Sequence, residues 1–496
     1  MPSSILYTAQ VPAFDRETGQ LALASHHLLS APTSIVDAFG PSTTLLLDPP
    51  PPEPYQKKSS SEIAATVTDQ TGEGGRRRKR RCVPDETSSP ADWIRHRERE
   101  EDRTTTDRES DAHHAEITTL LQSAIEAVQT GWRAVSGGGA VEWLGGQWGY
   151  EWRQQHDADE TRSELDLVSL VAKDSLAPLD GPLLLPKTFS LPSSSLAGRI
   201  AINNNDSEAV GLSLTSAELE PMATLSIPPS SGFLLSDMST WSDTSSGIAQ
   251  LGRERGGWDV LLIDPPWPNV SATRSSSYET FDPYDLWKLD VPALLGDKPA
   301  IVAVWLTNRV KFRRLVRDKL FPAWNVKDTA EWYWVKIASE TGEPVWPLVA
   351  KHRRCYEGLL VGHYVPPTAA KVSRPSIPDG KVFLSTPIGH SRKPYILELL
   401  RPYLVEPSPP PNVLELFARM TLAGPFSSLP ASTDSPGVTD GAAAKANRLE
   451  PLRKRGFFLA VGNEAIKFNV VDKPGTGGVR GWIRDAPVAG QEIHEP

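Results

Sequence analysis

Trp258-Asp-Val-Leu-Leu-Ile-Asp-Pro-Pro-Trp267 is the stretch that decides the fold. Val260 to Ile263 is a continuous apolar run closed by an acid, Asp264, then by Pro265, Pro266 and Trp267. Apolar continuity without alternation marks a strand buried on both faces, as in a parallel sheet. Pro265 has no N–H to give a ladder, so the strand ends near Asp264. That is its carboxyl end, where open α/β sheets hold ligands.

The residue types at that end suit reaction at an amine. The exocyclic amine of adenine is a weak nucleophile, because its lone pair is delocalised into the ring. A site acting there must accept its N–H groups and hold it against an electrophile. Asp264 supplies a carboxylate acceptor, the carbonyl of Asp264 or Pro265 a second, and the prolines stiffen the turn that aims them. Trp267 offers a flat face for a base taken out of its stack. Methyl transfer to an amino nitrogen of a nucleobase is the sharp reading. The plain one is a strand stopped by a Pro-Pro turn with a packed Trp.

The chain has 496 residues, enough for two or three domains and a sizeable core. Hydrophobic residues at 39% and 45 prolines describe ordered domains interrupted by linkers. A formal net charge of -9 excludes polyanion binding over the whole surface and leaves only local basic patches. Two cysteines, Cys82 and Cys355, make neither a disulfide framework nor a CxxC zinc site, so a reducing compartment and no metal are expected. Met1 to Tyr7 lacks the pattern of a signal peptide, and no 18-residue apolar run exists, so no membrane partner is expected.

Composition divides the chain. Residues 1–75 read as an N-terminal segment with short strands at Ile5 to Tyr7 and Thr44 to Leu47, followed by linker. Residues 76–90 are a basic low-complexity segment, and Arg76-Arg-Arg-Lys-Arg-Arg81 reads as a nuclear localisation signal, giving a nuclear location. Residues 91–225 read as a helical and mixed domain. There Ile117, Leu120, Leu121, Ile125 and Val128 recur at helical spacing, a stripe read as core packing. Residues 226–472 carry an α/β rhythm, with an insertion at about 425–456 that reads as disordered, and 473–496 is a tail. Segment 270–285 reads as a loop over the site. Arg309, Lys311, Arg313, Arg314, Arg317 and Lys319, with Lys351, Arg353 and Arg354, are candidates to meet phosphates; a solvated helix face is the plain alternative.

Several stretches together resemble the MT-A70 family of adenine-N6 methyltransferases, in particular its methyltransferase-like protein 4 group. They are Phe233-Leu-Leu-Ser-Asp-Met238, Asp264-Pro-Pro-Trp267, Val304-Trp-Leu-Thr-Asn-Arg309, Ala330-Glu-Trp-Tyr-Trp-Val-Lys336, Tyr356-Glu-Gly-Leu-Leu-Val-Gly362, His390-Ser-Arg-Lys-Pro394, Leu414-Glu-Leu-Phe-Ala-Arg419 and Gly462-Asn-Glu464. The resemblance implies a Rossmann-like S-adenosylmethionine-dependent methyltransferase fold with permuted motif order, behind an N-terminal mixed α+β region. That fits the absence of a GxGxxG loop before the Asp264 strand. It implies that Asp264, Pro265, Pro266 and Trp267 carry the chemistry. Its cofactor set is Asp237 and Met238 on the adenine, Ile263 and Asp264, Lys393 on the methionine carboxylate, Glu415 on the ribose hydroxyls, Phe417 and Arg419 lining the pocket, and Asn463 and Glu464. Trp267, Tyr278, Asn308, Arg309, Trp332 and Lys336 are its substrate candidates.

The implied partner is nucleic acid, RNA first and DNA second, with a 2′-O-methyladenosine of an snRNA as the favoured target. Activity without an obligate paralogue subunit is expected. The chain departs from the family after Arg419, where Met420-Thr421 and the long insertion follow, and in the 270–285 loop. The alternatives are a catalytically silent paralogue that scaffolds RNA binding and a DNA N6-adenine methyltransferase.

Overall fold

The computed structural model describes residues 5–14, 21–29, 43–45, 105–135, 183–185, 188–192, 196, 198–206, 208–215, 221–268, 282–338, 342–350, 354–385, 393–406, 410–422, 424, 456–472 and 483–485. The basic run Arg76 to Arg81, the insertion at 425–456 (bar its last residue) and Tyr278 lie outside them.

The N-terminal strands are β1 (Ile5–Phe14), β2 (Leu21–Leu29), β3 (Thr43–Leu45), β4 (Leu183–Leu184), β5 (Thr188–Pro192), β6 (Ile200–Asn203), β7 (Val210–Thr215) and β8 (Pro221–Ile227). The rest are β9 (Ser231–Leu234), β10 (Val260–Ile263), β11 (Ala300–Leu306), β12 (Val326–Lys336), β13 (Tyr356–Tyr364), β14 (Val382–Ser385), β15 (Val413–Leu416), β16 (Phe458–Val461), β17 (Val470–Asp472) and β18 (Ile483–Asp485). Twelve of them form one sheet, ordered β1-β2-β14-β12-β13-β11-β10-β15-β16-β9-β6-β4. Its heart is five parallel strands, β9, β16, β15, β10 and β11. β13 joins antiparallel to β11, and β6 antiparallel to β9. This is the Rossmann-like arrangement, with strands late in the chain lying between early ones.

β10 sits where the sequence pattern puts it. Val260 and Leu262 enter one core and Leu261 and Ile263 the other, so both faces are covered. One face carries α2 (Trp241–Glu254), α3 (Val291–Leu295) and α4, which opens at Val310–Leu315 and runs through one π turn, Val316–Leu320, into Phe321–Ala323. α2 stops at Gly256 and Gly257, whose φ values of 84° and 96° favour glycine, and the Gly257 N–H caps the Gly252 carbonyl at 2.8 Å. The other face carries the short α5 (Leu397–Leu400) and the small sheet β17-β8-β7-β5.

The N-terminal region is not a separate layer. β1 and β2 extend the sheet beyond β14, and β4 and β6 extend its other edge. The domain boundary expected at 225/226 falls inside β8, because β8 pairs with both β7 and β17. α1 (Thr105–Val135) lays Ile117, Leu121, Ala124, Ile125 and Val128 on Tyr333, Val335, Tyr356, Val382 and Leu384 of the main sheet. Its apolar stripe is core, as its spacing indicates. No described helix is long and apolar enough to cross a membrane.

Candidate active site

The parallel ladder delivers Asp264 to the point where strand order reverses. β10 has β11 on one side and β15 on the other, and the crevice between their carboxyl ends is where such sheets bind ligands. The last rung is the Asp264 N–H, donating to the Leu416 carbonyl at 3.2 Å. The turn then closes at once, the Trp267 N–H donating to the Pro265 carbonyl at 2.7 Å. That bond takes one of the two lone pairs of the Pro265 carbonyl. The Trp267 indole N–H donates to the Trp305 carbonyl at 2.8 Å, and its ring stacks on Phe312 at 4.9 Å. Phe312 therefore covers one face of the ring.

Side-chain alternation aims the chemistry at one side of the sheet. Leu262, Asp264, Glu415 and Phe417 line an open cleft with Trp305, Lys393 and Arg419, of about 590 Å³ including the solvent it shares. In it Lys393 Nζ lies 3.0 Å from Asp264 Oδ2 and 3.2 Å from Glu357 Oε2, while Glu357 Oε1 meets Lys336 Nζ at 2.5 Å. Asp264, only 22% exposed, thus shares one lysine with a second carboxylate.

The sharing separates the protonation states. Burial raises the Asp264 carboxyl above its usual value, Lys393 opposes this, and Glu357 adds to it. Burial also works against Glu357, but two lysines overcome it and hold that carboxyl at about 2. Lys393, between two anions, is raised despite its burial and stays a cation. Glu415 is pushed up to about 8 by burial and then by the Asp264 charge, so it is mostly a neutral acid at pH 7.

Three more strand ends close the edge. After β15, Phe417 adopts φ 61°, a left-handed backbone unusual for a large side chain. The Gly462 turn after β16 crowds it: a Cβ there would lie 2.6 Å from the Ala418 carbonyl, so only glycine lets the turns nest. Arg419 Nε meets Glu464 Oε2 at 3.2 Å, and Lys467 meets Glu464 Oε1 at 2.8 Å. After β9, Asp237 Oδ1 accepts from the Ser239 and Thr240 N–H groups, which commits one of its two oxygens to the turn opening α2.

Asp264, Lys393, Glu415, Phe417 and Arg419 therefore share one cleft. Asp237, Met238, Asn463 and Glu464 stand on the adjoining strand ends, Met238 packing against the α2-side core. Asn308 donates to the Tyr356 carbonyl at 3.4 Å, Arg309 precedes α4, and Lys336 holds Glu357. Two expected site residues are corrected. Trp332 is completely buried, its N–H on the Pro378 carbonyl and its ring against Tyr403, so no substrate reaches it. The Ile263 side chain is equally buried, on the face of the sheet away from the cleft.

The phosphate candidates on α4 are also corrected in part. Arg313 pairs with Glu331 at 2.7 Å, Arg314 with Glu109 at 3.0 Å and Arg317 with Asp318 at 2.7 Å, and before β13 Arg354 pairs with Asp111 at 3.3 Å. This end of the helix is bound to α1 and the sheet. Glu357 is the site residue that sequence reasoning passed over. Its signal was an acid one residue into an otherwise apolar strand, a costly place for a charge without a partner. Among the described residues no three His, Cys, Asp or Glu side chains are grouped to hold a metal ion.

The MT-A70 family profile matches residues 258–429, from the start of the β10 stretch past the Phe417 turn. The chain is 39% identical to the N(6)-adenine-specific methyltransferase METTL4 of Homo sapiens over 199 residues, which is 39% of this chain and 40% of that protein. It is 32% identical to the N6-methyladenosine RNA methyltransferase MTA1 of Pyricularia oryzae over 259 residues, 49% of this chain and 64% of that protein. It is 32% identical to the DNA N6-methyl methyltransferase of Caenorhabditis elegans over 198 residues, 40% of this chain and 50% of that protein. The chain thus spans about two fifths of the length of its human relative.

Proposed function

We propose that this chain, whose residues 258–429 are a domain of the MT-A70 family, is an S-adenosylmethionine-dependent methyltransferase acting on the N6 amine of adenine in nucleic acid, RNA before DNA. The observation that carries the reading is Asp264 at the tip of β10, one rung from the Phe417–Arg419 turn and in the same cleft as Lys393 and Glu415.

The cleft fits the methyl donor chemically. Lys393 matches a carboxylate, the Glu415 carboxyl matches hydroxyls, and the nested Phe417 and Gly462 turns keep the floor close to the backbone. When bound, S-adenosylmethionine supplies a methyl group already activated on a sulfonium. Lys393, Glu415, Phe417 and Arg419 would hold it, with Asp237, Met238, Asn463 and Glu464 on the adjoining strand ends.

The protein's own task is then alignment and charge placement. Asp264 accepts one N–H of the target amine, and the Pro265 carbonyl accepts the other. Both acceptors favour the positive charge that grows on nitrogen as it attacks. Lys393 leaves Asp264 as an acceptor only because Glu357 shares its charge. The Trp267 ring supports the base.

RNA ranks first because an alignment over 259 residues, 49% of this chain, is to an enzyme named for RNA. Within RNA we favour 2′-O-methyladenosine of an snRNA, methylated without an obligate paralogue subunit, and we favour nuclear residence directed by Arg76 to Arg81. The test is methylation of matched RNA and DNA oligonucleotides, with and without a 2′-O-methyl on the target, by wild type and Asp264→Ala, read as N6-methyladenosine by nucleoside mass spectrometry. The expected result is product from RNA with wild type and none with the variant. A wild type that binds the donor and modifies neither polymer sinks the reading and leaves the silent scaffold.

A further inference from the structure

α1 lies on the face of the sheet opposite the cleft, yet it bonds to the neighbour of a cleft residue. Side chains along a strand alternate between faces. On β13, Glu357 faces the cleft with Lys393 and Lys336, and Tyr356 faces α1, where it is buried. The His114 ring of α1 lies parallel to the Tyr356 ring, 5.6 Å between centroids and 5° between planes. Its Nδ1 is 2.9 Å from the Tyr356 hydroxyl and its Nε2 is 2.8 Å from the Leu348 carbonyl. A carbonyl only accepts, so Nε2 carries the hydrogen and Nδ1 accepts from the tyrosine O–H. Burial, with Arg354 close by, holds the imidazole below its usual value and keeps this neutral tautomer. The start of β13 is fixed from the same helix by Asp111, 3.3 Å from Arg354.

We propose that His114, acting through Tyr356, is a positioning residue: it fixes the start of β13, and with it the reach of Glu357 for Lys393 and the freedom of Asp264 to accept the target amine. The inference rests on the methyltransferase reading. It assigns α1, 120 residues and more before the family-matched segment opens at its catalytic strand in sequence terms, a part in the geometry of that site.

The experiment uses the full chain with His114→Ala, His114→Gln, Tyr356→Phe, Glu357→Gln and the double variant His114→Ala/Glu357→Gln, assayed on one adenine-containing RNA oligonucleotide. Misplacing a reacting group by about 1 Å costs up to roughly a hundredfold, so His114→Ala is expected to lower kcat about tenfold or more. KM for the oligonucleotide should stay within about twofold. His114→Gln, which keeps a donor and an acceptor, should recover most of the loss. The double variant should be no slower than Glu357→Gln alone, because both act through one group. Tyr356→Phe keeps the ring and the stack, and so tests the hydroxyl link even if His114→Ala fails to fold.

A kcat for Tyr356→Phe and His114→Ala within about twofold of wild type, or losses that multiply with Glu357→Gln, overturn the proposal. A wild type inactive on every adenine oligonucleotide defeats the methyltransferase reading instead. The positioning role is then read from acetic-anhydride acetylation of Lys393, mapped by mass spectrometry. Faster labelling in His114→Ala and Tyr356→Phe than in wild type supports it, and equal labelling overturns it.

Discussion

β10 begins and ends beside an aspartate paired with a lysine, and the two ends behave differently. At the amino end, Asp259 Oδ1 lies 2.6 Å from Lys298 Nζ and Oδ2 accepts the Asn412 N–H at 2.8 Å. The Asn412 side chain is spent in turn on the Arg255 and Gly257 carbonyls and the Phe457 N–H. Asp259 has a lysine to itself, its side chain is 5% exposed, and the network around it is closed. At the carboxyl end, Asp264 shares its lysine with Glu357 and opens on a cleft. A lysine partner therefore does not distinguish structure from function along this strand. Whether the lysine is shared between carboxylates, and whether the site opens on a cleft, do.

The comparison is tested most severely by exchanging the roles. Asp264→Asn keeps the shape and removes the charge, and should lower the methylation rate by about a thousandfold, the scale of losing a main transition-state electrostatic contact. Its melting temperature should not fall, because a carboxylate that burial disfavours has been removed. Asp259→Ala should do the reverse. It breaks a largely buried pair and strands the Asn412 N–H, at a cost of about 3 kcal/mol, while turnover per folded molecule is unchanged. Rates and melts on both variants decide it. A comparable rate loss in Asp259→Ala would remove the distinction.

Two carboxyls of the cleft should respond to pH with opposite sign. Glu415 has a folded value raised from 4.5 to about 8, so between those values the folded state holds a proton that the unfolded state has released. Stability contributed by that proton is present below about 4.5 and is lost as pH rises to about 8. Glu415→Gln should therefore flatten the fall in melting temperature across that window. Glu357 is depressed to about 2, so its contribution is present above 4.5 and is lost as pH falls towards 2. Glu357→Gln should flatten the acid side of the curve and leave the alkaline side alone. Matching slopes in the two variants would mean the cleft does not separate the pair.

Much of this edge was legible in the chain. The unbroken run Val260 to Ile263 and the proline after Asp264 fix both the burial of β10 and where it stops, since each is a local constraint. The order of motifs carried the Phe417 turn and the Gly462 turn to the same edge. What was not legible was set by partners distant in sequence. Trp332 reads as an aromatic near the site, but alternation along β12 turns it into the core against Tyr403. The cations of α4 look like phosphate contacts until α1, some two hundred positions earlier, supplies Glu109 for Arg314. The boundary at 225/226 failed because short strands with weak periodicity give no sign of pairing across it.

The smallest expected effect separates the bound cations of α4 from the open ones. Arg314 is about half exposed and already paired, and such surface pairs contribute roughly 0–1 kcal/mol, so Arg314→Ala should shift stability only slightly. If its charge is spent on Glu109, the salt dependence of oligonucleotide binding should also stay as it was. Lys311 differs: it is exposed, its ammonium lies 4.7 Å from the Phe312 centroid, and Phe312 carries Trp267 beside the site. A lysine that meets one phosphate contributes about 0.7 to the slope of log K against log salt for a single strand, and Lys311→Ala should lose that increment. Binding measured between low and moderate salt for both variants reads the difference directly. A drop in slope for Arg314→Ala would return the basic face of α4 to the nucleic acid and reduce the Glu109 pair to a resting contact.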